Sequence, residues 1–297
     1  MGETIGYLAY RVLVGLIHVL SRPLVLALGG GLGRLFYRLD AGHRRIALGN
    51  LTIAFAGDKS PAERERIARA SFIHFVRTAL DTIKFTTLSV ARIRELVDVE
   101  GRDNLVKALA AGKGVLIFSA HYGNWEASPS VLSAYGPVSA VVRALDNRLI
   151  ERDLLRLRRR QGASIIYKSG AGKHVMRALA EGGMVGIVVD QNVLRGQAVF
   201  VDFFGRTAAT TPGLAGLHFK SGAPLLPMFC HPRGSRYLLR ILPPFTVEPS
   251  DDRAADVLKT TRIYTKMIED QIRREPEPWL WIHKRWNTRP ADEKKNP

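Results

Sequence analysis

Residues 114–126 carry the sequence GVLIFSAHYGNWE, an apolar run followed at once by a histidine, a glycine and a glutamate. The run Val115 to Phe118 is short and uncharged, a pattern typical of a central strand buried on both faces of an α/β sheet. His121 and Glu126 then lie just beyond the carboxyl end of that strand, where open α/β sheets bind ligands. This stretch therefore predicts both the middle of the fold and the position of its site.

An alternation of strands and helices extends along the chain around this strand. Strands are predicted near 96–100, 114–119, 138–142, 164–168, 184–190, 224–230 and 236–242, and helices near 102–111, 124–134, 147–161, 171–182, 210–221 and 253–274. Ser60-Pro61 with Glu63 gives the capping-box pattern that begins a further helix over 60–86. The pattern predicts a mixed, largely parallel central sheet flanked by helices.

The chain divides into an N-terminal helical region over 1–40, one α/β domain over 41–290 and a solvated tail over 291–297. The apolar runs Tyr7 to Leu20 and Leu24 to Leu32 both fall short of the ~20 uninterrupted apolar residues of a clear membrane span. Two interpretations stay open: an interfacial or tilted membrane anchor, or a helix pair packed in a soluble core. The four arginines that follow, Arg34, Arg38, Arg44 and Arg45, would suit an anionic cytoplasmic leaflet.

The composition is strongly basic, with 44 Lys and Arg against 27 Asp and Glu, a formal net charge of +17. Such a surface attracts nucleic acid, anionic membranes, phosphorylated lipids and acidic carrier proteins. A basic nucleic-acid-binding protein is the main non-enzyme alternative, but no helix-turn-helix, zinc-ligand or ribonucleoprotein motif supports it. The single cysteine, Cys230, excludes an internal disulfide and lies in an apolar run, which indicates a core residue.

The spacing of His121 and Glu126 suggests a histidine base with an orienting acid. If both residues were helical they would lie about 140° apart, so a turn must bring them together. Gly123 permits a tight bend and Asn124 is placed to cap the following helix. Glu126 would then stabilise the imidazolium of His121 while the other ring nitrogen takes a proton from a hydroxyl. The alternative is that His121 and Glu126 only cap one helix.

Positive charge is concentrated after this motif, with ten Lys or Arg against three acids between residues 143 and 177. The arginines at helical spacing there are Arg152, Arg156, Arg159 and Arg160. They predict one helix face suited to phosphate or carboxylate groups, or else a solvated helix surface. Arg143, at the end of a predicted strand, is a candidate for the site itself.

Asp190-Gln191 closes another apolar strand, Met184 to Val189. Because this position is again the carboxyl end of a strand, both side chains are expected beside His121. They would either position a substrate or cap a loop.

The motif from His121 to Glu126 resembles the His-x4-Asp/Glu signature of the glycerolipid acyltransferase superfamily. Its full form resembles the lipid A biosynthesis acyltransferases, the lauroyl and myristoyl transferases of Gram-negative bacteria. Further similarity extends from about residue 40 to 290. It is carried by RRIALGNLTIAF at 44–55, Asp190-Gln191, FVDFFG at 200–205, Thr210-Thr211, Gly222-Ala223-Pro224, Pro227, PWLWIHKRW at 278–286 and Arg289-Pro290.

This resemblance implies acyl transfer from acyl carrier protein or acyl-CoA to a hydroxyl of an anionic lipid A precursor. Residues 41–290 would form the acyltransferase domain, with His121 as the base and Glu126 as its partner. Arg158 and Arg160 resemble the family's arginines before a glycine and would hold phosphate. The expected substrate-binding residues are Asn124, Arg143, Arg158, Arg160, Asp190 and Gln191.

No metal and no cofactor are expected, because a thioester donor is already activated. The implied location is the cytoplasmic face of a bacterial inner membrane, with residues 1–40 as an N-terminal membrane anchor, and no nucleic-acid partner is expected. Other acceptors remain open, among them a phosphatidylinositol mannoside, an ornithine-type lipid and a lysophospholipid. A non-catalytic membrane scaffold that keeps the fold is a further alternative.

Overall fold

The computed structural model describes residues 2–291 and Glu293. The helices are α1 (Gly2–Val19), α2 (Arg22–Leu39), α3 (Ala41–Phe55), α4 (Pro61–Phe85), α5 (Val90–Glu95), α6 (Arg102–Ala110), α7 (Ser128–Leu132), α8 (Arg148–Arg160), α9 (Ala171–Ala180), α10 (Gly213–Ser221) and α11 (Arg253–Arg274). The strands are β1 (Val97–Glu100), β2 (Val115–Ser119), β3 (Val138–Val142), β4 (Ala163–Tyr167), β5 (Met184–Val188), β6 (Val199–Phe203), β7 (Arg206–Thr210), β8 (Leu225–Arg233) and β9 (Arg236–Ile241). The predicted tail over 291–297 lies mostly outside the described residues.

Seven strands form the central sheet in the order β1-β9-β8-β2-β5-β3-β4. The five strands from β8 to β4 run parallel, β9 is antiparallel to β8, and β1 is parallel to β9. The predicted mixed, largely parallel sheet is therefore confirmed. Strand β2 lies at its centre, with Ile117 opposite Gly186 of β5 and Leu226 of β8.

Alternate side chains of β2 enter two separate hydrophobic clusters, one on each face of the sheet. Leu116 and Phe118 pack in a cluster to which α3, α4, α9, α10 and α11 contribute. Val115 and Ile117 pack in a cluster with residues of α5, α6, α7 and α8. All five residues of β2 are buried, which is why this strand is apolar throughout instead of alternating.

Three local features differ from the sequence-based expectations. The helix predicted over 124–134 is a 3₁₀ turn at Trp125–Ala127 followed by the short α7. The helix predicted from 210 begins at Gly213, because residues 206–210 form β7. Strands β6 and β7 make an antiparallel hairpin that was not predicted. The capping box of Ser60 and Glu63 at the start of α4 is confirmed.

The N-terminal helices α1 and α2 pack against α4. Glycines of α2 allow a close approach: a Cβ atom at Gly33 would lie 2.5 Å from the Cα of Ile73, and one at Gly29 would lie 2.9 Å from the Cα of Arg77. The packed inner face agrees with the second of the two interpretations of this region. None of the helices in the described part of the chain is long and apolar enough to cross a membrane.

Charged side chains of α4 bind the turn between α1 and α2. Arg22, at the start of α2, donates to both carboxylate oxygens of Asp81 at 2.8 and 2.7 Å. Asp81 is fully buried and also accepts a hydrogen bond from the hydroxyl of Tyr237 at 2.5 Å. Lys84, one turn further along α4, donates to the carbonyl of His18 at 3.0 Å. These contacts hold the N-terminal helices to the sheet domain.

Replacing Asp81 by Ala is expected to lower the free energy of unfolding by about 3–5 kcal/mol, because Arg22 would lose the partner of a buried ion pair. Denaturant unfolding followed by circular dichroism measures the change. Asp98→Ala is the matched control, since it breaks the exposed pair of Asp98 with Arg236 and should leave the unfolding free energy nearly unchanged. Equal losses in the two variants would contradict a special role for the buried pair.

Candidate active site

The loop that carries His121 is held between β2 and the chain that follows α11, residues 275–291, which we call the C-terminal segment. The backbone N–H of Gly123 donates to the carbonyl of Pro278, and that of Leu280 donates to the carbonyl of His121, each at 3.1 Å. At Gly123 the backbone φ is +61°, and a Cβ atom there would lie 1.5 Å from the carbonyl oxygen of Cys230. The predicted glycine bend is therefore required both by conformation and by lack of space.

His121 is paired with Asp190. Its Nδ1 lies 2.7 Å from Oδ1 of Asp190, and its backbone N–H donates to Oδ2 at 2.9 Å. Trp279 Nε1 donates to the same Oδ2 at 2.8 Å. The pairing follows from sheet order, because β2 and β5 are neighbours and both residues lie just beyond the carboxyl ends of these strands. Asp190 is buried, and all three hydrogen bonds stabilise its carboxylate.

The electrostatics of the pair favour its ionised form. Burial alone lowers the pKa of His121, but the charge and hydrogen bond of Asp190, with a smaller contribution from Glu126, raise it above its ordinary value of 6.5. Burial opposes ionisation of Asp190, yet His121 and the hydrogen bond from Trp279 hold the pKa of this carboxyl below its ordinary value. A proton taken up by the imidazole would therefore be stabilised by Asp190.

Glu126 does not hydrogen-bond His121, so the predicted pairing of these two side chains is wrong, and a catalytic role of Glu126 stays a prediction. Arg158 donates to both oxygens of Glu126, from Nε at 3.0 Å and from Nη2 at 2.5 Å. The 3₁₀ turn at Trp125–Ala127 places this carboxylate against α8, while Oδ1 of Asp190 is hydrogen-bonded to Nδ1 of His121. Glu126 acts on His121 only through its charge.

Arg152, Arg156, Arg159 and Arg160 are exposed on one side of α8, as their spacing predicts, but the arginines expected to hold phosphate have partners within the protein. Arg158 is largely buried in its pair with Glu126 and is not open to a phosphate. Arg160 donates to the carbonyls of Thr86 at 2.7 Å and Leu88 at 3.4 Å, where it joins the end of α8 to the loop after α4. Arg143 is exposed and pairs with Asp146 at 3.1 Å.

Asn124 and Gln191 have different surroundings. The side chain of Asn124 is fully buried and makes no capping hydrogen bond, so the predicted cap is wrong and the residue is closed to substrate. Gln191 lies at the mouth of the site, with its Nε2 at 3.4 Å from Nε2 of His121. Of the predicted residues, His121, Asp190 and Gln191 are thus brought together.

A narrow cleft leads to His121 between α4 and the C-terminal segment, with about 10 Å³ of free space. Ser71, His74 and Thr78 of α4 line it, opposite Trp125 and Leu280. The capping box predicts this helix, but the polar stripe was missed, although a spacing of three and four residues places the three side chains on one helix face. Burial lowers the pKa of His74 to about 4, so this imidazole is neutral near pH 7.

The C-terminal segment also holds the loop that follows Asp190. The backbone N–H of Asn192 donates to Nε2 of His283 at 2.9 Å. Asn192 and Thr288 exchange two hydrogen bonds of 3.0 Å. Burial lowers the pKa of His283, so it is a neutral acceptor here. His283 and Trp279 belong to a motif noted in the sequence, but their contacts could not be predicted from it.

Within residues 2–291 and Glu293, no group of three or more His, Cys, Asp or Glu side chains is arranged to hold a metal ion. The described residues around His121 offer hydrogen-bond donors, acceptors and one raised-pKa imidazole. Their arrangement is suited to removing a proton from a hydroxyl group.

The matching family and the similar proteins are all named as enzymes that transfer acyl groups. The family described as bacterial lipid A biosynthesis acyltransferase matches residues 3–288. The lipid A biosynthesis palmitoleoyltransferase of Escherichia coli K12 is 30% identical over 92% of this chain and 88% of its own. The lipid A biosynthesis lauroyltransferase of the same organism is 29% identical, over 93% and 89% respectively. The phosphatidylinositol mannoside acyltransferase of Mycolicibacterium smegmatis is 26% identical, over 80% and 78%.

The raised pKa of His121 predicts how turnover depends on pH. A general base must be neutral, so kcat/KM should fall on the acid side with a midpoint above 6.5. Asp190→Asn removes the negative charge that stabilises the imidazolium. This variant should move the midpoint to lower pH and lower kcat by about 10²-fold or more. An unchanged midpoint in the variant would show that Asp190 does not set the pKa of the base.

Proposed function

The chain belongs to the bacterial lipid A biosynthesis acyltransferase family, and on that premise we propose that it transfers a fatty acyl group from a thioester donor to a hydroxyl of a lipid A precursor. The observation that carries the chemical step is the hydrogen bond between His121 and Asp190, 2.7 Å long. It leaves Nε2 of a partly exposed imidazole facing Gln191, where a hydroxyl can reach it.

In the proposed step, Nε2 of His121 takes the proton of the acceptor hydroxyl as its oxygen attacks the thioester carbonyl carbon. The tetrahedral intermediate collapses, the carbon–sulfur bond breaks, and the thiolate takes the proton back from the imidazolium. Asp190 stabilises the imidazolium while it exists, and its ties to Trp279 and the His121 backbone keep the ring oriented. Glu126 contributes negative charge at longer range.

Gln191 is proposed to position the acceptor. Its side-chain Nε2 lies 3.4 Å from Nε2 of His121. The acceptor hydroxyl must lie beside the same ring nitrogen to lose its proton. An amide carries both a donor and an acceptor, so it can hold a sugar hydroxyl in that position. The mechanism calls for no metal or redox cofactor, because a thioester carbonyl is already activated toward an alcohol. Acyl carrier protein or acyl-CoA would supply it.

A different glycolipid acceptor is the second candidate. The similarity to a phosphatidylinositol mannoside acyltransferase, 26% identity over 80% of the chain, favours this alternative over a nucleic-acid-binding role. Both acceptor classes present a sugar hydroxyl on an anionic lipid, and the His121–Asp190 pair suits either one. A lysophospholipid acceptor would use the same chemistry.

The outer faces of α1 and α2 are proposed to contact the membrane that contains the acceptor. Of the twelve exposed large hydrophobic side chains in the described residues, eight lie on these two helices. They are Leu8, Val12, Leu16, Val19, Leu24, Leu32, Leu35 and Leu39. The exposed Arg11, Arg34 and Arg38 lie beside them. An apolar helix face with flanking cations binds in the plane of an anionic leaflet.

His121→Ala is expected to lower kcat for acyl transfer by ~10²-fold or more, the scale of a lost general base. His174→Ala, an exposed histidine on α9, is the matched control and should keep full turnover. Mass spectrometry of lipids from hosts lacking the gene, complemented with each variant, should show a missing ester-linked acyl group only with His121→Ala. The lipid that loses this mass identifies the acceptor class, and near-normal turnover of His121→Ala would refute the mechanism.

Val12→Asp with Val19→Asp should weaken binding to anionic vesicles by about 10-fold or more, because two exposed apolar side chains are replaced by charge. These side chains are 75% and 82% exposed, so folding should be unaffected. Val106→Asp on α6 makes the same chemical change at an exposed site and is the control. Vesicle co-sedimentation measures binding; equal binding of all variants would contradict the proposed membrane face.

A further inference from the structure

One corner of the sheet presents apolar and cationic side chains on a rigid support. Strands β3 and β4 end together, with Val142 opposite Tyr167. The buried carboxylate of Glu151 accepts hydrogen bonds from the backbone N–H of Leu145 at 3.0 Å and from the hydroxyl of Tyr167 at 3.3 Å. Glu151 therefore ties the loop after β3 to the end of β4.

The side chains at this corner face solvent. Leu145 is 41% exposed and Tyr167 is 43% exposed, although both are large and apolar. Four exposed cations adjoin them: Arg143 directly after β3, Lys168 directly after β4, Arg148 at the start of α8 and Lys173 in the first turn of α9. One exposed acid, Asp146, offsets Arg143. We call these six apolar and cationic residues the β3–β4 corner.

The β3–β4 corner lies on the same edge of the sheet as His121. Strands β2, β5, β3 and β4 are consecutive and parallel, so their carboxyl ends share one edge. Three strand spacings separate β2 from β4, a distance of about 14 Å. A donor whose thioester is borne on an extended flexible arm can dock at the corner and place its carbonyl at His121.

We propose that the β3–β4 corner docks a small acidic protein that carries the acyl thioester; this rests on the proposed function. The cations would meet the carrier's carboxylates and steer association, while Leu145 and Tyr167 form the apolar centre of the contact. Two apolar side chains among four cations suit a protein interface. The eight large apolar side chains on α1 and α2 suit a membrane.

The test begins with direct binding of fluorescently labelled holo acyl carrier protein, measured by anisotropy at low salt. Lys168→Glu with Lys173→Glu should raise Kd by about 10-fold or more, because two attractive charges become repulsive. Lys259→Glu with Arg262→Glu on α11 changes the net charge equally, at exposed positions away from the corner, and should leave Kd unchanged. Leu145→Ala, which keeps the backbone bond to Glu151, should also weaken binding.

Turnover is then measured with two different donors. The comparison separates an effect on carrier docking from an effect on the chemical step. With acyl carrier protein as donor, the double Lys168 and Lys173 variant should lose about 10-fold in kcat/KM through a higher KM. With an acyl-pantetheine thioester it should match the unaltered protein. Equal loss with both donors, or unchanged carrier binding, would overturn the proposal.

Two further outcomes discriminate among the remaining explanations. Lost binding to phosphatidylglycerol vesicles with intact carrier binding would assign the β3–β4 corner to the membrane and overturn the proposal. Absence of turnover by the unaltered protein with either donor would refute the proposed function, while the anisotropy measurement would still decide whether the corner binds the carrier.

Discussion

The carboxylate of Asp190 is the constraint on which the arrangement of this site depends. A buried carboxylate is costly unless donors surround it, and here three donors arrive from two different segments. Two come from His121 and one from Trp279, at 2.7 to 2.9 Å. Satisfying this one charge therefore fixes the loop after β2, the end of β5 and the C-terminal segment relative to one another. The pairing of residues 121–123 with 278–280 and the ties from Asn192 to Thr288 extend the same constraint along the chain.

Three ionisable groups around the site have pKa values that lie far from neutral pH. The pKa of His74 is lowered to about 4 by burial, and that of Arg285 is lowered to about 10 for the same reason. His231 and Arg233 hold the pKa of Glu275 at about 2 against the effect of its partial burial. His74, Arg285 and Glu275 therefore keep their charge states near neutral pH. Protonation of His121 therefore leaves the charges of these three groups unchanged.

The sequence predicts those parts of the fold and site that depend on local signals. The buried strand at 115–119, the capping box at Ser60 and the glycine bend at Gly123 each follow from neighbouring residues, and each has the expected form. The acid that pairs with His121 depends instead on strand order, because Asp190 lies 69 residues away and reaches it only when β5 lies next to β2. Glu126 is nearer in sequence, but a 3₁₀ turn directs it to Arg158. The β6–β7 hairpin was missed because its apolar residues lack a clear alternation.

The net charge of +17 likewise indicates less about where a partner binds than the positions of the exposed cations do. Helical spacing in α8 predicts one guanidinium face, and its four arginines are exposed, but several arginines of this helix have partners within the protein. Arg156 pairs with Asp153, Arg158 pairs with Glu126, and Arg160 donates to backbone carbonyls. The guanidinium of Arg158 is unavailable to a ligand, because a new contact would leave the buried carboxylate of Glu126 unpaired. Charge open to a partner is found at exposed positions, among them Arg148, Lys168 and Lys173.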